Sequence, residues 1–428
     1  MSRDHFQVEG APANVNADAA FRNRCDRMPR RHDIDALRVI AFSLLILYHS
    51  AMVYVADWDF HIKSTYQAEW LQYPMIALNR WRMPMLFMIS GIAIGLAGIE
   101  GRRLHLARSR CQRLLLPLVF GMLMVVPPQT YFEVIEQHGF SGGFASFYKL
   151  YITGGLCRAD PCLITPTWNH LWYLAYLLPY TLLLLAAAPL LRWLQRTLES
   201  PAPTWVSRAL MLALPIIWLM GVRLWLAPHF PETHAMLGDW TVHAESLPWF
   251  LLGYVLARSA WFWSWAQRLR WQTLVMAILA VGVELGLRWL GRHPPLGPFP
   301  EWALHVPWYT VERIARVTYT WMALLALFGW GRTLLDRQSP WLTYGSQAVF
   351  SWYILHQTLI VAIAYWLMPM KLGGALEAGL VVGGTAVGCL LLHEYLIRRI
   401  DWLRPLLGLK RRPPILVMSM PQTSDSPH

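Results

Sequence analysis

Charge is scarce in this chain. Asp, Glu, Lys and Arg make up 14% of its 428 residues, where a soluble globular protein carries roughly 25%. A disordered tail protein is therefore excluded, and two or three water-facing domains of this total length would lack polar surface. Cysteine is thin as well, five in all, which excludes a small disulfide scaffold. No Walker motif, GxGxxG fingerprint, CxxC pair or HExxH helix is present. Nucleotide-driven transport and zinc hydrolysis thus lack their usual signals, and no metal site is expected. The first 30 residues are polar and Arg-rich without an apolar core, so no cleaved signal peptide is expected and the first span doubles as the insertion signal.

What the chain has in excess is apolar side chains, at 56% with 24 Trp. Only a lipid-facing surface lets so many avoid water, so the predicted fold is an all-α polytopic membrane bundle. A window of about 20 residues finds about ten spans, near 36–55, 82–99, 113–130, 170–191, 206–227, 245–262, 272–290, 311–331, 346–368 and 374–397. The third and sixth are the weakest signals: one ends at Pro127 and Pro128, and the other is short.

Basic residues choose the orientation. They cluster before the first span (Arg22 to Arg31), between the second and third (Arg102 to Arg113), and then at Arg192 and Arg196, at Arg258, Arg268 and Arg270, at Arg332 and Arg337, and from Arg398 to Arg412. The loop from Pro228 to Glu245 has no Lys or Arg and carries Glu232, Asp239 and Glu245. That alternation places both termini in the cytoplasm and favours an even number of spans. It also accounts for the net charge of +12 without nucleic acid as a partner. The predicted organisation is a disordered Arg-rich tail (1–32), a membrane domain (33–410) and a disordered Pro-rich tail (411–428). Cys25, Cys111 and Cys389 are expected to be reduced. Cys157 and Cys162 face the oxidising side, either as a disulfide or as two loop thiols.

An ionisable group inside a span costs several kcal/mol unless it faces a polar interior, so each is a functional candidate. Asp33, Asp35 and Arg38 lie at the cytoplasmic mouth of the first span, and His49 follows Arg38 by eleven residues. At 1.5 Å per residue the imidazole lies about 16 Å above the guanidinium, and eleven residues are close to three turns, so both project from one face.

Arg38, ten intervening residues and His49 match the R-X10-H motif of the integral-membrane acyltransferase 3 family. Met83 to Gly91 resembles that family's second-span signature, Arg110-Cys111-Gln112-Arg113 its RxxR motif, and His170-Leu171-Trp172-Tyr173-Leu174 its HLWFL stretch. Within the family the chain is most similar to the glucan biosynthesis protein C group, through Asp33 to Arg38, His61-Ile62-Lys63, Tyr353 to Thr358, and Glu394 through Leu406. The resemblance runs from about 31 to 412; the terminal extensions have no counterpart in it.

The resemblance implies transfer of an acyl group, succinyl in that group, from cytoplasmic acyl-CoA to hydroxyls of a periplasmic glucan. It implies a multi-pass protein of the inner membrane, in contact with membrane lipid and with no permanently bound cofactor. Arg38, Arg110 and Arg113 at the cytoplasmic mouth suit the CoA phosphates. A pantetheine arm spans roughly the 16 Å rise to His49, which is the expected general base; a covalent acyl-histidine is the alternative. Asp35 is expected to orient Arg38 or to favour the helix start.

Arg82, or failing it Arg316, is a candidate for the succinyl carboxylate, against a bland reading in which both snorkel to headgroups. His170 is expected at the acceptor site and His356 on a polar substrate path. Glu284 is expected to pair with Arg288, Glu394 with a mouth arginine, and the glycines from Gly373 to Gly388 to serve helix packing. The rival function is a transporter or flippase, against which stands the absence of an internal repeat pairing early with late spans.

Overall fold

The computed structural model describes residues 30–99, 103–158, 163–199, 205–294, 301 and 305–412. Both predicted tails lie almost wholly outside them, as does Cys162 and with it any pairing to Cys157. Among the described residues the chain is helical with no strand.

The major helices are α1 (His32–Tyr54), α2 (Gln72–Ala97), α3 (Arg103–Phe120), α4 (Pro127–His138), α5 (Phe144–Thr153), α6 (Trp172–Ala186), α7 (Ala188–Glu199) and α8 (Trp205–Gly221). They continue as α9 (Trp240–Leu256), α10 (Ala260–Arg268), α11 (Arg270–Arg292), α12 (Trp308–Leu334), α13 (Pro340–Leu367) and α14 (Gly374–Leu391). Helix α3 runs through a π-helical turn, Gly121–Val125, directly into α4. Pro127 and Pro128 do not end this span as the sequence suggests, because they occupy the first positions of α4, where no backbone N–H is required.

Among the described residues six helices are long and apolar enough to cross a membrane: His32–Tyr54, Arg103–His138, Arg208–Leu226, Arg270–Arg292, Pro340–Met370 and Gly374–Ile397. A seventh follows if Asn169–Ala186 and Ala188–Leu198, bent by 79°, form one span. Of the ten expected spans, the remaining three correspond to α2, α9 and α12. Each is less apolar or shorter than the others: α2 carries Arg80, Arg82 and Pro84, α12 carries Glu312, Arg313, Arg316 and Arg332, and α9 has only 17 residues.

Those three helices are the interior of the bundle. Met85 to Ile89 of α2 and Trp321, Leu324 and Leu325 of α12 are almost fully buried. Helices α2 and α9 pack along each other, as do α11 and α12, while α13 packs against α1, α4 and α14. The α2–α9 contact is backbone to backbone: a Cβ placed on Gly91 would lie 1.9 Å from the Phe250 carbonyl oxygen, and one on Gly253 2.1 Å from that of Met88. Only glycine permits it. By contrast α8 and α11 expose Leu210, Leu214, Ile217, Val275, Ile278 and Leu279. Water would not tolerate that continuous apolar face, and lipid does. The chain is a multi-pass membrane protein.

Candidate active site

Polar residues of the interior helices, of α1 and of the turn before α6 converge on a cavity of about 410 Å³. His49 of α1, Arg82 of α2, His170 at the start of α6 and Arg316 of α12 all line it. Sequence reasoning nominated each of them separately, and the fold brings them to one space.

His49 Nδ1 lies 2.8 Å from Nε2 of His356 on α13. His356 Nδ1 lies 2.8 Å from the Tyr353 carbonyl oxygen and 3.2 Å from that of Trp352. Carbonyls only accept, so Nδ1 of neutral His356 holds the proton and its Nε2 a lone pair. His49 must then donate through Nδ1, which leaves its own Nε2 basic. The orientation of His49 is thus fixed by a second histidine and by main chain, with no carboxylate in contact among the described residues. His356 is fully buried and stands behind His49 instead of lining the cavity. His170 Nε2 donates to the Ile354 carbonyl at 3.0 Å, and its buried Nδ1 has no partner.

Four arginines surround the far wall. Arg80 holds Glu284 of α11 through Nε and Nη2, at 2.8 and 2.6 Å. Arg223, in the π-helical turn Val222–Leu226 after α8, holds Glu232 and Glu245, each at 2.5 Å. Arg316 lies 3.8 Å from Glu232. Arg82 differs. It is 3% exposed, its guanidinium stacks 4.0 Å over the Tyr48 ring, and Nη2 reaches Asn79 at 3.2 Å. Its Nε and Nη1 have no partner. Burial rules out the snorkelling arrangement for this residue.

Arg38, Arg110 and Arg113 do not reach the cavity. Arg38 pairs with Asp35 at 3.0 Å, and Arg30 holds the other Asp35 oxygen at 2.8 Å. Arg110 is within electrostatic range of Arg38, Arg113 and Tyr173. Between this group and His49 lies an aromatic layer. Phe42, one turn above Arg38 on α1, meets Tyr353 at 5.1 Å and Tyr173 at 6.2 Å between ring centroids. Arg113 also lines a second hollow, of about 860 Å³, with Cys111, Pro405, Lys410 and Arg411.

Two expected pairings are corrected. Glu284 pairs with Arg80 and leaves Arg288 to Glu312 at 2.9 Å, because α11 turns Glu284 inward toward a buried cation. Glu394 pairs with Arg398, one turn away, at 2.8 Å, and not with a mouth arginine. Sequence reasoning missed Arg80, Arg223 and Glu245 as cavity residues. The usable signal was charge of both signs within apolar helices. It also missed Glu133, whose Oε2 lies 2.7 Å from His61 Nδ1.

The geometry assembles a basic imidazole, a buried cation with no carboxylate in contact among the described residues, and a polar cavity inside a membrane bundle. A family model described as an acyltransferase domain matches residues 31–394 of the chain. The chain belongs to the acyltransferase 3 family. It is an acyltransferase built into a membrane, and its R-X10-H pair is Arg38 and His49 on either side of the aromatic layer. Among curated proteins it is similar to the glucans biosynthesis protein C of Salmonella typhi and that of Salmonella typhimurium. Each is 23% identical over 357 residues, covering 80% of this chain and 85% of the relative. No solved structure matches it.

Proposed function

We propose that this acyltransferase moves an acyl group, succinyl by likeness to the glucans biosynthesis relatives, from cytoplasmic acyl-CoA to a hydroxyl of a periplasmic glucan. The observation that carries the reading is the basic Nε2 of His49, left free at the cavity by the His356 contact. In the reaction, Nε2 takes the hydroxyl proton as the oxygen attacks the thioester carbonyl. The C–S bond breaks, and the imidazolium returns the proton to the leaving thiolate.

Arg38, steadied by Asp35, together with Arg110 and Arg113, binds the CoA phosphates. The arm of the donor threads past the layer of Phe42, Tyr173 and Tyr353, over about the 16 Å that eleven helical residues span. Arg82 receives the terminal carboxylate of succinyl; its partnerless N–H groups support this role. His170 lines the acceptor side, and His356 acts through His49. In this reading α2, α9 and α12 join the seven apolar crossings to make ten, with both termini cytoplasmic and the protein in the inner membrane.

Replacing His49 with Ala is expected to lower ester-linked acyl groups on periplasmic glucans by about 10² to 10⁴-fold in rate, read by mass spectrometry. A folded, inserted His49→Ala protein that decorates glucan at the normal rate refutes the base. Unchanged decoration with altered glucan export in cells lacking the protein supports a transporter instead.

A further inference from the structure

One polar pair at the cavity has no part in that chemistry. His61 lies in the segment between α1 and α2 and lines the cavity beside Phe60. Its Nδ1 is 2.7 Å from Glu133 Oε2 on α4, and its Nε2 is 2.9 Å from the amide nitrogen of Gln357 on α13. A carboxylate accepts and an amide NH₂ donates, so neutral His61 keeps its proton on Nδ1 and presents the Nε2 lone pair to Gln357. Gln357 also lines the cavity and follows His356 in the chain. His61 and His49 therefore line one space with the same fixed tautomer, the proton on Nδ1 and the lone pair on Nε2.

The segment that carries His61 is strapped in place. Lys63 Nζ donates to the carbonyls of Met52 (3.0 Å), Trp58 (2.9 Å) and Val55. Gln137 Nε2 donates to the carbonyls of Phe60 and His61 at 2.8 and 2.9 Å. Beyond His61 a chain of amides continues: Gln129 accepts from Gln357 at 3.2 Å and from Asn169 at 3.4 Å, and donates to Thr358 at 2.6 Å. Asn169, Phe60 and Trp172 share the cavity wall. Planar amides, an oriented imidazole and aromatic faces suit a neutral polyhydroxylated ring, which offers a donor and an acceptor at every hydroxyl and apolar C–H faces between them.

We propose that His61, oriented by Glu133, forms with Gln357 and Asn169 a subsite that binds a hydroxyl of the carbohydrate acceptor other than the one acylated. The inference rests on the acyltransferase reading above. The docked hydroxyl donates to Nε2 of His61 in place of the Gln357 amide, whose freed N–H then donates to a neighbouring ring oxygen. No covalent bond changes here. The subsite contributes orientation, turning the reactive hydroxyl toward His49.

The test uses the full-length protein in nanodiscs, with succinyl-CoA as donor and a short linear gluco-oligosaccharide as acceptor. His61→Gln and Glu133→Gln are expected to raise KM for the oligosaccharide about tenfold, the loss of one hydrogen bond. The KM for succinyl-CoA should be unchanged and kcat should stay within about threefold. Direct titration of the oligosaccharide, followed by intrinsic Trp fluorescence without donor, should show the same tenfold weakening. An unchanged acceptor KM, a fall in kcat alone, or a parallel rise in both KM values overturns the subsite. If His61→Gln fails to insert, the near-isosteric Glu133→Gln and the titration decide the matter. His49→Ala, run beside them, should lose turnover while binding the oligosaccharide normally. If it turns over normally, the base reading falls, while the titration still judges the subsite.

Discussion

The arginines at the start of α1 and those on the cavity wall are built by opposite rules. At the mouth, Arg38 keeps a side chain 32% exposed beside Asp35, and Arg110 and Arg113 stand near it without a carboxylate partner among the described residues. On the wall, Arg80 and Arg223 are 12% and 10% exposed, each against one or two glutamates. Water and counterions reach Arg38 and Arg113, whereas carboxylates must stabilise the buried cations of the second set. The wall set does not balance. Among the described residues four arginines (Arg80, Arg82, Arg223, Arg316) face three acids (Glu232, Glu245, Glu284), which leaves one cation over, and Arg82 is the one with no acid in contact. A buried charge without an acidic partner is costly, and the proposed carboxylate role of Arg82 rests on this imbalance.

The contrast is sharpest at Glu284. Glu284→Gln leaves the buried Arg80 guanidinium without its carboxylate and is expected to destabilise the protein by about 3–5 kcal/mol, read as thermal unfolding in detergent. A variant as stable as the parent would break the distinction between the two sets. Next is Arg82→Gln. Losing a charged hydrogen bond of about 1.5–3 kcal/mol should erase most of the preference for succinyl-CoA over acetyl-CoA, measured by donor competition. Equal loss with both donors would remove selectivity from this residue. The smallest effect belongs to Arg113→Gln. It should raise the KM for acyl-CoA by about tenfold or less, an effect that fades as salt is added, with unfolding unchanged.

Much of this architecture was legible in the chain. Apolar runs located the helices, and the eleven-residue spacing put Arg38 and His49 on one face of α1. The runs at 82–99 and 311–331 read as spans from their apolar stretches, yet α2 and α12 fall outside the six long apolar helices because they carry charged residues. Their apolar signal is weak where Arg80, Arg82 and Arg316 line the cavity. The long-range partners were not legible at all. Glu284 has a local candidate in Arg288, and nothing in a helical repeat says that a cation 204 residues away on α2 will win it. The contact of His49 with His356 spans 307 residues and depends on α1 and α13 packing side by side. His61 and Glu133 sit in segments whose local pattern is that of ordinary loop and amphipathic helix.

The His49 orientation ends on the carbonyl of residue 353. That anchor belongs to the peptide backbone, so its presence does not depend on which side chain position 353 encodes, and it has no titration of its own. An acidic orienting residue can be lost by one substitution or silenced by acid. Here a single codon, that of His356, stands between His49 and a main-chain acceptor that is present whichever side chain position 353 carries.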